Sequence, residues 1–193
     1  MSDSATGGYL APTSSQALPD GLTLTQFIQS VLVGISGFAG NLVRPKWQQN
    51  PPGQPDVDVN WLAFAITNST QDTNAYVALD GDDAYQFQRQ QEIEVQCSMY
   101  GPSSLENTDL LRDGFQITQN LEALQIANMA FVNTSNAMHA PELVNERFFD
   151  RYEFSIFLRR QTQRVYPILS FASASGTIHA TVNSEDYTLD WSV

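Results

Sequence analysis

Leu24, Phe27, Ile28, Val31, Leu32 and Ile35 recur at three- and four-residue intervals, which predicts an amphipathic helix with one apolar face. Thr23-Leu24-Thr25-Gln26 ahead of it has the form of a capping box, and Gly34, Gly37 and Gly40 close the segment. Four of the nine prolines then fall between positions 45 and 55, predicting an extended crossing. Asp58–Thr67 reads as a buried strand, with Val59, Trp61, Ala63 and Ala65 on one face and Leu62, Phe64 and Ile66 on the other. Residues 68–84 are turn-rich, with Asp80-Gly81 as a tight turn. From Gln86 to Tyr100 polarity alternates, with Phe87, Ile93, Val95, Cys97 and Met99 inward and Arg89, Gln91, Glu92, Glu94 and Gln96 outward. A register shift is expected near Gln90-Gln91.

Ser103 and Glu106 form a second capping box. The helix after it should turn Leu110, Leu111, Gly114, Phe115, Ile117, Leu121 and Leu124 toward a core and run to about Asn128. A polar loop precedes the Arg147–Arg160 strand, whose aromatic-rich face carries Phe148, Tyr152, Phe154, Ile156 and Leu158. Short strands follow at Ile168–Ala172, Gly176–Val182 and Tyr187–Trp191. Residues 1–21 are rich in Ser, Thr, Gly, Ala and Pro without periodicity, as in an arm that is flexible or orders only on a partner. The predicted fold is α+β: a single mixed or antiparallel sheet with two main helices packed on one face, plus a β-rich C-terminal tail. The boundaries are an arm over 1–21, an α/β domain over 22–175 and a β-rich extension over 176–193.

Composition narrows what this fold does. The 193 residues are 42% hydrophobic and 11% aromatic, enough apolar surface to build a core and exclude wholesale disorder. Nine basic against 21 acidic residues give a net charge of −12, which excludes a grip on nucleic acid through clustered cations. Lys46 is the only lysine, and 17 Gln and 12 Asn supply much of the polar surface. Cys97, the sole cysteine, lies in an alternating run and reads as a small apolar core residue. The N-terminal residues lack a basic region with an apolar core, and no apolar run is long enough to span a bilayer, so a soluble, cytoplasmic-type protein is expected.

Candidate chemistry is sparse. His139 and His179 lie forty residues apart with no metal-ligand spacing, and Asp80-Gly81-Asp82-Asp83 lacks the alternation and closing Glu of a calcium loop. There is no Gly-rich phosphate cradle or nucleophile elbow, and Ser173-Ala174-Ser175-Gly176 has no His placed to activate a hydroxyl. No catalytic, cofactor or metal site is therefore assigned. Trp47 and Trp61 are expected as core anchors. Charge placement says more. Arg147, Arg151, Arg159, Arg160 and Arg164 crowd onto or beside one strand, while Glu92 and Glu94 lie on another. These charges pair within the chain, form complementary flanks for head-to-tail association of copies, or do both.

The block LVRPKWQQNPPGQPDVDVNWLAFAIT, then QRQQEIEVQCSMYGPSS and a helix, then NERFFDRYEFSIFLRRQTQR, resembles the neck or tail terminator proteins of tailed bacteriophages. The likeness runs from about Thr23 to Ser175 and rests on the order of blocks. It implies a tail-terminator-like protomer without catalysis, forming a homo-oligomeric ring, usually a hexamer, that caps the tail tube beneath the head. The implied partners are the tail tube protein and the neck, head-completion or connector proteins. DNA would pass through without specific binding, no membrane would be involved, and the protein would reside in the virion after assembly in the host cytoplasm. A head-completion or tube-associated adaptor is the alternative, and a small acidic hydrolase is a third reading.

Overall fold

The computed structural model describes residues 9–17, 20–81, 83–144, 146–168, 175–182 and 185–192, which form a mixed α+β fold with three α-helices. In chain order the first elements are β1 (Ser14–Ser15), α1 (Leu22–Ser36), β2 (Val43–Pro45), β3 (Trp61–Gln71), β4 (Tyr76–Leu79) and β5 (Ala84–Tyr100). Next come α2 (Ser104–Gly114), α3 (Glu122–Ile126), β6 (Met129–Thr134), β7 (Met138–His139), β8 (Glu142–Val144) and β9 (Arg147–Phe149). The last are β10 (Arg151–Pro167), β11 (Ser175–Val182) and β12 (Glu185–Ser192). The chain divides into a larger unit, Ser15–Tyr76 with Gln88–Gln163, and a smaller one drawn from Met1–Ser14, Val77–Phe87 and Arg164–Val193.

The larger unit is organised by β3 and β5. Their antiparallel ladder runs from Trp61 opposite Tyr100 to Gln71 opposite Gln91, while β2 lies parallel to β3 from Val43 opposite Leu62 to Pro45 opposite Phe64. On the far side β5 borders β10, which carries β6 and β7 along its other edge. Alternation along β3 serves two clusters. Leu62 and Phe64 join Ile93, Val95, Cys97 and Met99 of β5 with Leu24, Ile28 and Leu32 of α1, Leu111 and Phe115 at α2, and Leu124 of α3. Trp61 and Ala63 join Tyr100 and Phe149 in the smaller cluster. In the smaller unit, β11 and β12 form a hairpin in unbroken register from Ser175 opposite Ser192 to Val182 opposite Glu185. Asp80 N–H donates to Ala84 C=O (2.8 Å) at the β4–β5 turn, and Phe87 meets Tyr166 edge-to-face at 6.0 Å.

Several local expectations are corrected. α1 starts one residue before Thr23, with Gly21 at the cap position, so the expected box does not form; instead Thr25 Oγ1 donates to Gly21 C=O (2.9 Å). Ser103 does precede α2, yet its side chain makes no capping bond, and its N–H donates to Asn60 Oδ1 (3.0 Å). The second helix stops at Gly114 rather than near Asn128, and a 3-10 turn at Thr118–Leu121 leads into α3. Leu111 and Phe115 face inward with Ser104 and Thr108, which leaves Leu110 and Ile117 exposed. The β3–β5 ladder has its irregularity between Ile66 and Asn68 and ends at Gln91. Gln91 shares the parity of Ile93 and is buried, not outward.

The turn-rich reading of 68–84 missed the far end of β3 and all of β4, and the polar loop before Arg147 contains β6, β7 and β8. The strand expected over Arg147–Arg160 is interrupted at Asp150. Phe148 on β9 is exposed, and β10 continues to Pro167. Most of the strand expected at Ile168–Ala172 lies outside the described residues.

Two tests follow from this packing. Gly101 has φ +111, and a Cβ there would lie 2.7 Å from Asn60 Cα and 2.7 Å from Val59 O; Gly81 has φ +75 in open space. Gly81→Ala should cost about 1–3 kcal/mol for the backbone conformation alone, and Gly101→Ala measurably more, in denaturant unfolding. Burial pushes the Cys97 thiol up to about 12 from 9.0. Folding thus favours the neutral thiol, a stabilisation present below pH 9.0 and lost as pH rises toward about 12. Wild type should lose more stability across that window than Cys97→Ala does.

Candidate docking site around Trp47

The short β2 strand sets the geometry of this site. Its pairing to β3 ends with Lys46 N–H donating to Phe64 C=O (2.7 Å), after which Trp47 turns the chain at φ 57. That left-handed backbone is costly for a bulky residue, by about 1–3 kcal/mol. Gln48 Nε2 donates back to Pro45 C=O (2.7 Å). Arg44 ties the Pro-rich crossing to the edge, donating from Nε to Asn41 C=O (2.6 Å) and from Nη1 to Gly53 C=O (2.7 Å). Trp47 itself is 76% exposed. It is therefore not the core anchor expected from the sequence; the tight turn aims it away from the sheet.

Behind it, Trp61 stacks on Tyr100 with centroids 4.2 Å apart and planes 6° from parallel. The Arg44 guanidinium lies 5.7 Å from the Trp61 ring centroid, within cation–π range. Trp61 Nε1 is shut off from solvent and has no hydrogen-bond partner among the described residues. Lys46 Nζ donates to Gln96 Oε1 (3.3 Å). Desolvation lowers its pKa, against an opposing pull from Glu153. Burial raises the pKa of Tyr100, whose hydroxyl donates to Glu142 Oε2 (3.2 Å). Arg44, Lys46, Trp47, Trp61, Tyr100 and Glu142 thus line a cleft of about 310 Å³, with Pro52 at its side, aromatic walls, two cations and one carboxylate that is already paired with Arg151.

The arginines and glutamates singled out in the sequence are dispersed. Arg159 donates from Nη2 to Glu92 Oε2 (3.5 Å) at the surface. Glu94 instead accepts from Ser155 Oγ (2.7 Å). Arg151 pairs with Glu142 (2.7 Å) and Glu153 (3.5 Å) and donates to Ala140 C=O. Arg160 is only 4% exposed, donating to Gln91 Oε1 (2.6 Å) and pairing with Asp20. Reversing its charge would disrupt the fold, so it is unsuited to an assembly test. Arg147 is exposed on β9, and Arg164 is half-buried on β10. His139 Nε2 is 2.6 Å from Asp150 Oδ1, and its ring stacks on Tyr152. No group of three or more His, Cys, Asp or Glu among the described residues is arranged to hold a metal. Sequence reasoning missed the Trp47 cleft. Its one signal was a tryptophan flanked by Lys46 and Gln48, outside any apolar alternation.

Residues 22–181 match the family model described as phage neck terminator protein, a span that includes β2, the Trp47 turn and both long strands. The chain belongs to that family. No curated protein matches it. Membership makes the chain a structural neck component of a phage virion, working among other head–tail proteins. No helix among the described residues is long and apolar enough to cross a membrane. Within this neck terminator, an exposed tryptophan on a strained turn beside Pro51 and Pro52 suits a protein contact better than a core role.

The two tryptophans should respond oppositely to truncation. Trp47→Gly removes little burial and relieves the positive φ, so stability should hold or rise by up to about 1 kcal/mol. Trp61→Ala should cost about 3–5 kcal/mol, as for other large core truncations. Chemical denaturation of the two variants separates these outcomes.

Proposed function

We propose that the chain is the repeating subunit of a ring, built of six copies, that terminates the tail tube, joins tail to head and lets DNA pass without gripping it. Family membership carries this reading, and the net charge of −12 supports it, since phosphate-neutralising contacts would hold the genome in place. The role is structural rather than catalytic, in a virion assembled in the host cytoplasm. The partners are the tube protein and a neck, head-completion or connector protein. Residues 1–21 serve as an arm, 22–175 as the terminator-like domain and 176–193 as a β-rich extension. α1 and α2 cover one face of the sheet, a placement supported by their shared apolar cluster.

Ring closure needs two complementary surfaces on each copy. Beyond Phe64, β3 pairs only with β5 among the described residues, and β6 pairs only with β10, so each offers an open edge to a neighbour. The hairpin of β11 and β12 adds the exposed Ile178 and Leu189, paired on one face. Arg147, Arg151, Arg159 and Arg164 with Glu92 and Glu94 provide the charged flanks; Arg160, given its burial, supports that surface from within.

Negative-stain imaging and mass measurement with purified tail tubes test this reading. Rings of the chain at tube ends are expected; a chain that never attaches to tubes sinks it. Location at the head side of the neck, away from the last tube ring, would favour a head-completion adaptor instead. Arg159→Glu sets a like charge beside Glu92 at an exposed pair whose loss should cost the fold no more than about 1 kcal/mol. It should weaken tube-end assembly at low salt, and unchanged assembly would remove Arg159 from the interface.

A further inference from the structure

We propose that the cleft between Trp47 and the Trp61–Tyr100 stack receives an extended, carboxylate-bearing segment of another virion protein. The proposal rests on the neck reading for the source of that segment, while the binding chemistry comes from the cleft itself. Arg151, Arg159 and Arg160 each meet a carboxylate of their own chain. Arg44 and Lys46 do not: their described partners are the carbonyls of Asn41 and Gly53 and the amide of Gln96. Glu142 also lines the cleft and Glu153 acts on Lys46 from nearby, but Arg151 pairs with both. Arg44, Lys46 and Arg151 together thus exceed those two acids by one positive charge. In a chain with 21 acidic residues, that excess marks a surface complementary to an incoming anion.

The remaining features select an extended peptide over a free anion. Trp47, Trp61 and Tyr100 with Pro52 give flat apolar walls of the sort that hold proline-bearing extended chains. Lys46 is partly desolvated and is drawn by Glu153 and Glu142 without contacting either, so a carboxylate in contact with its Nζ would be a gain. The strained turn that exposes Trp47 is held by Gln48 and Arg44 before any ligand arrives, so the site is preorganised.

The test is a titration of the full-length, isotopically labelled chain with the capped peptide Pro-Pro-Asp-Leu, read by the indole N–H resonances of Trp47 and Trp61. Saturable shifts are expected, with the Asn analogue of the peptide binding about tenfold more weakly. Lys46→Met should reduce affinity for the acidic peptide to that of the Asn analogue, and Arg44→Gln should weaken it while unperturbed β5 amides report an intact fold. No shift at millimolar peptide, equal binding of the two peptides, or indifference to Lys46→Met would each overturn the proposal. Sedimentation of the free chain supplies the competing outcome. Self-association that shifts the same indoles and is abolished by Lys46→Met would assign the cleft to a second copy and overturn it too. Peptide binding without tube-end rings would instead count against the neck reading alone.

Discussion

The antiparallel pairing of β3 with β5 is the contact on which the other layers depend. Because side chains alternate across a strand, one register decides the membership of both clusters. Leu62 and Phe64 meet Met99 and Cys97 beneath α1, whereas Trp61 meets Tyr100 on the opposite side. A one-residue slip would carry Trp61 into the helical core and expose Phe64. Gly101 protects that register at its end, since the chain turns tightly against Asn60 and Val59 immediately after Tyr100.

Polar groups are treated differently on the two sides of this ladder. On the helical side, Gln91 brings an amide into the interior, where Arg160 and Ser69 satisfy it. The guanidinium then reaches Asp20, joining β10 to the residues just before α1. Such an arrangement contributes little net energy relative to an apolar substitute, but loss of one partner strands a buried charge. On the other side, Ser98, Glu153, Arg151 and Glu142 form a chain of polar contacts, and Lys46 and Gln96 form a separate pair. Most of these groups are only partly buried, so they meet water as well as one another.

Long periodic elements were legible in the sequence because their apolar spacing is dictated by packing. α1, β3, β5 and β10 all follow the pattern of their residues. Short elements were not, because β6 and β7 borrow their stability from the edge of β10, β8 pairs only with the three-residue β9, and all three carry little pattern of their own. Capping failed for a related reason: Gly21 and Asn60 satisfy or displace the ends that Thr23 and Ser103 were expected to serve. The arginine stretch was visible, yet its residues separate by strand parity, so Arg159 reaches the surface while Arg160 turns inward. Nor did residue type distinguish Trp47 from Trp61; only the backbone turn after β2 does so.

The scarcity of lysine has a practical side. Lys46 bears the only side-chain amine in the chain, and its lowered pKa leaves more of it in the nucleophilic form near neutral pH than an ordinary lysine would. Acylating reagents therefore find a single side-chain target, located beside Trp61 and Trp47. A dye or cross-linker placed there would report occupancy of that cleft inside an intact virion, with no engineered residue and no background from other lysines of the same chain.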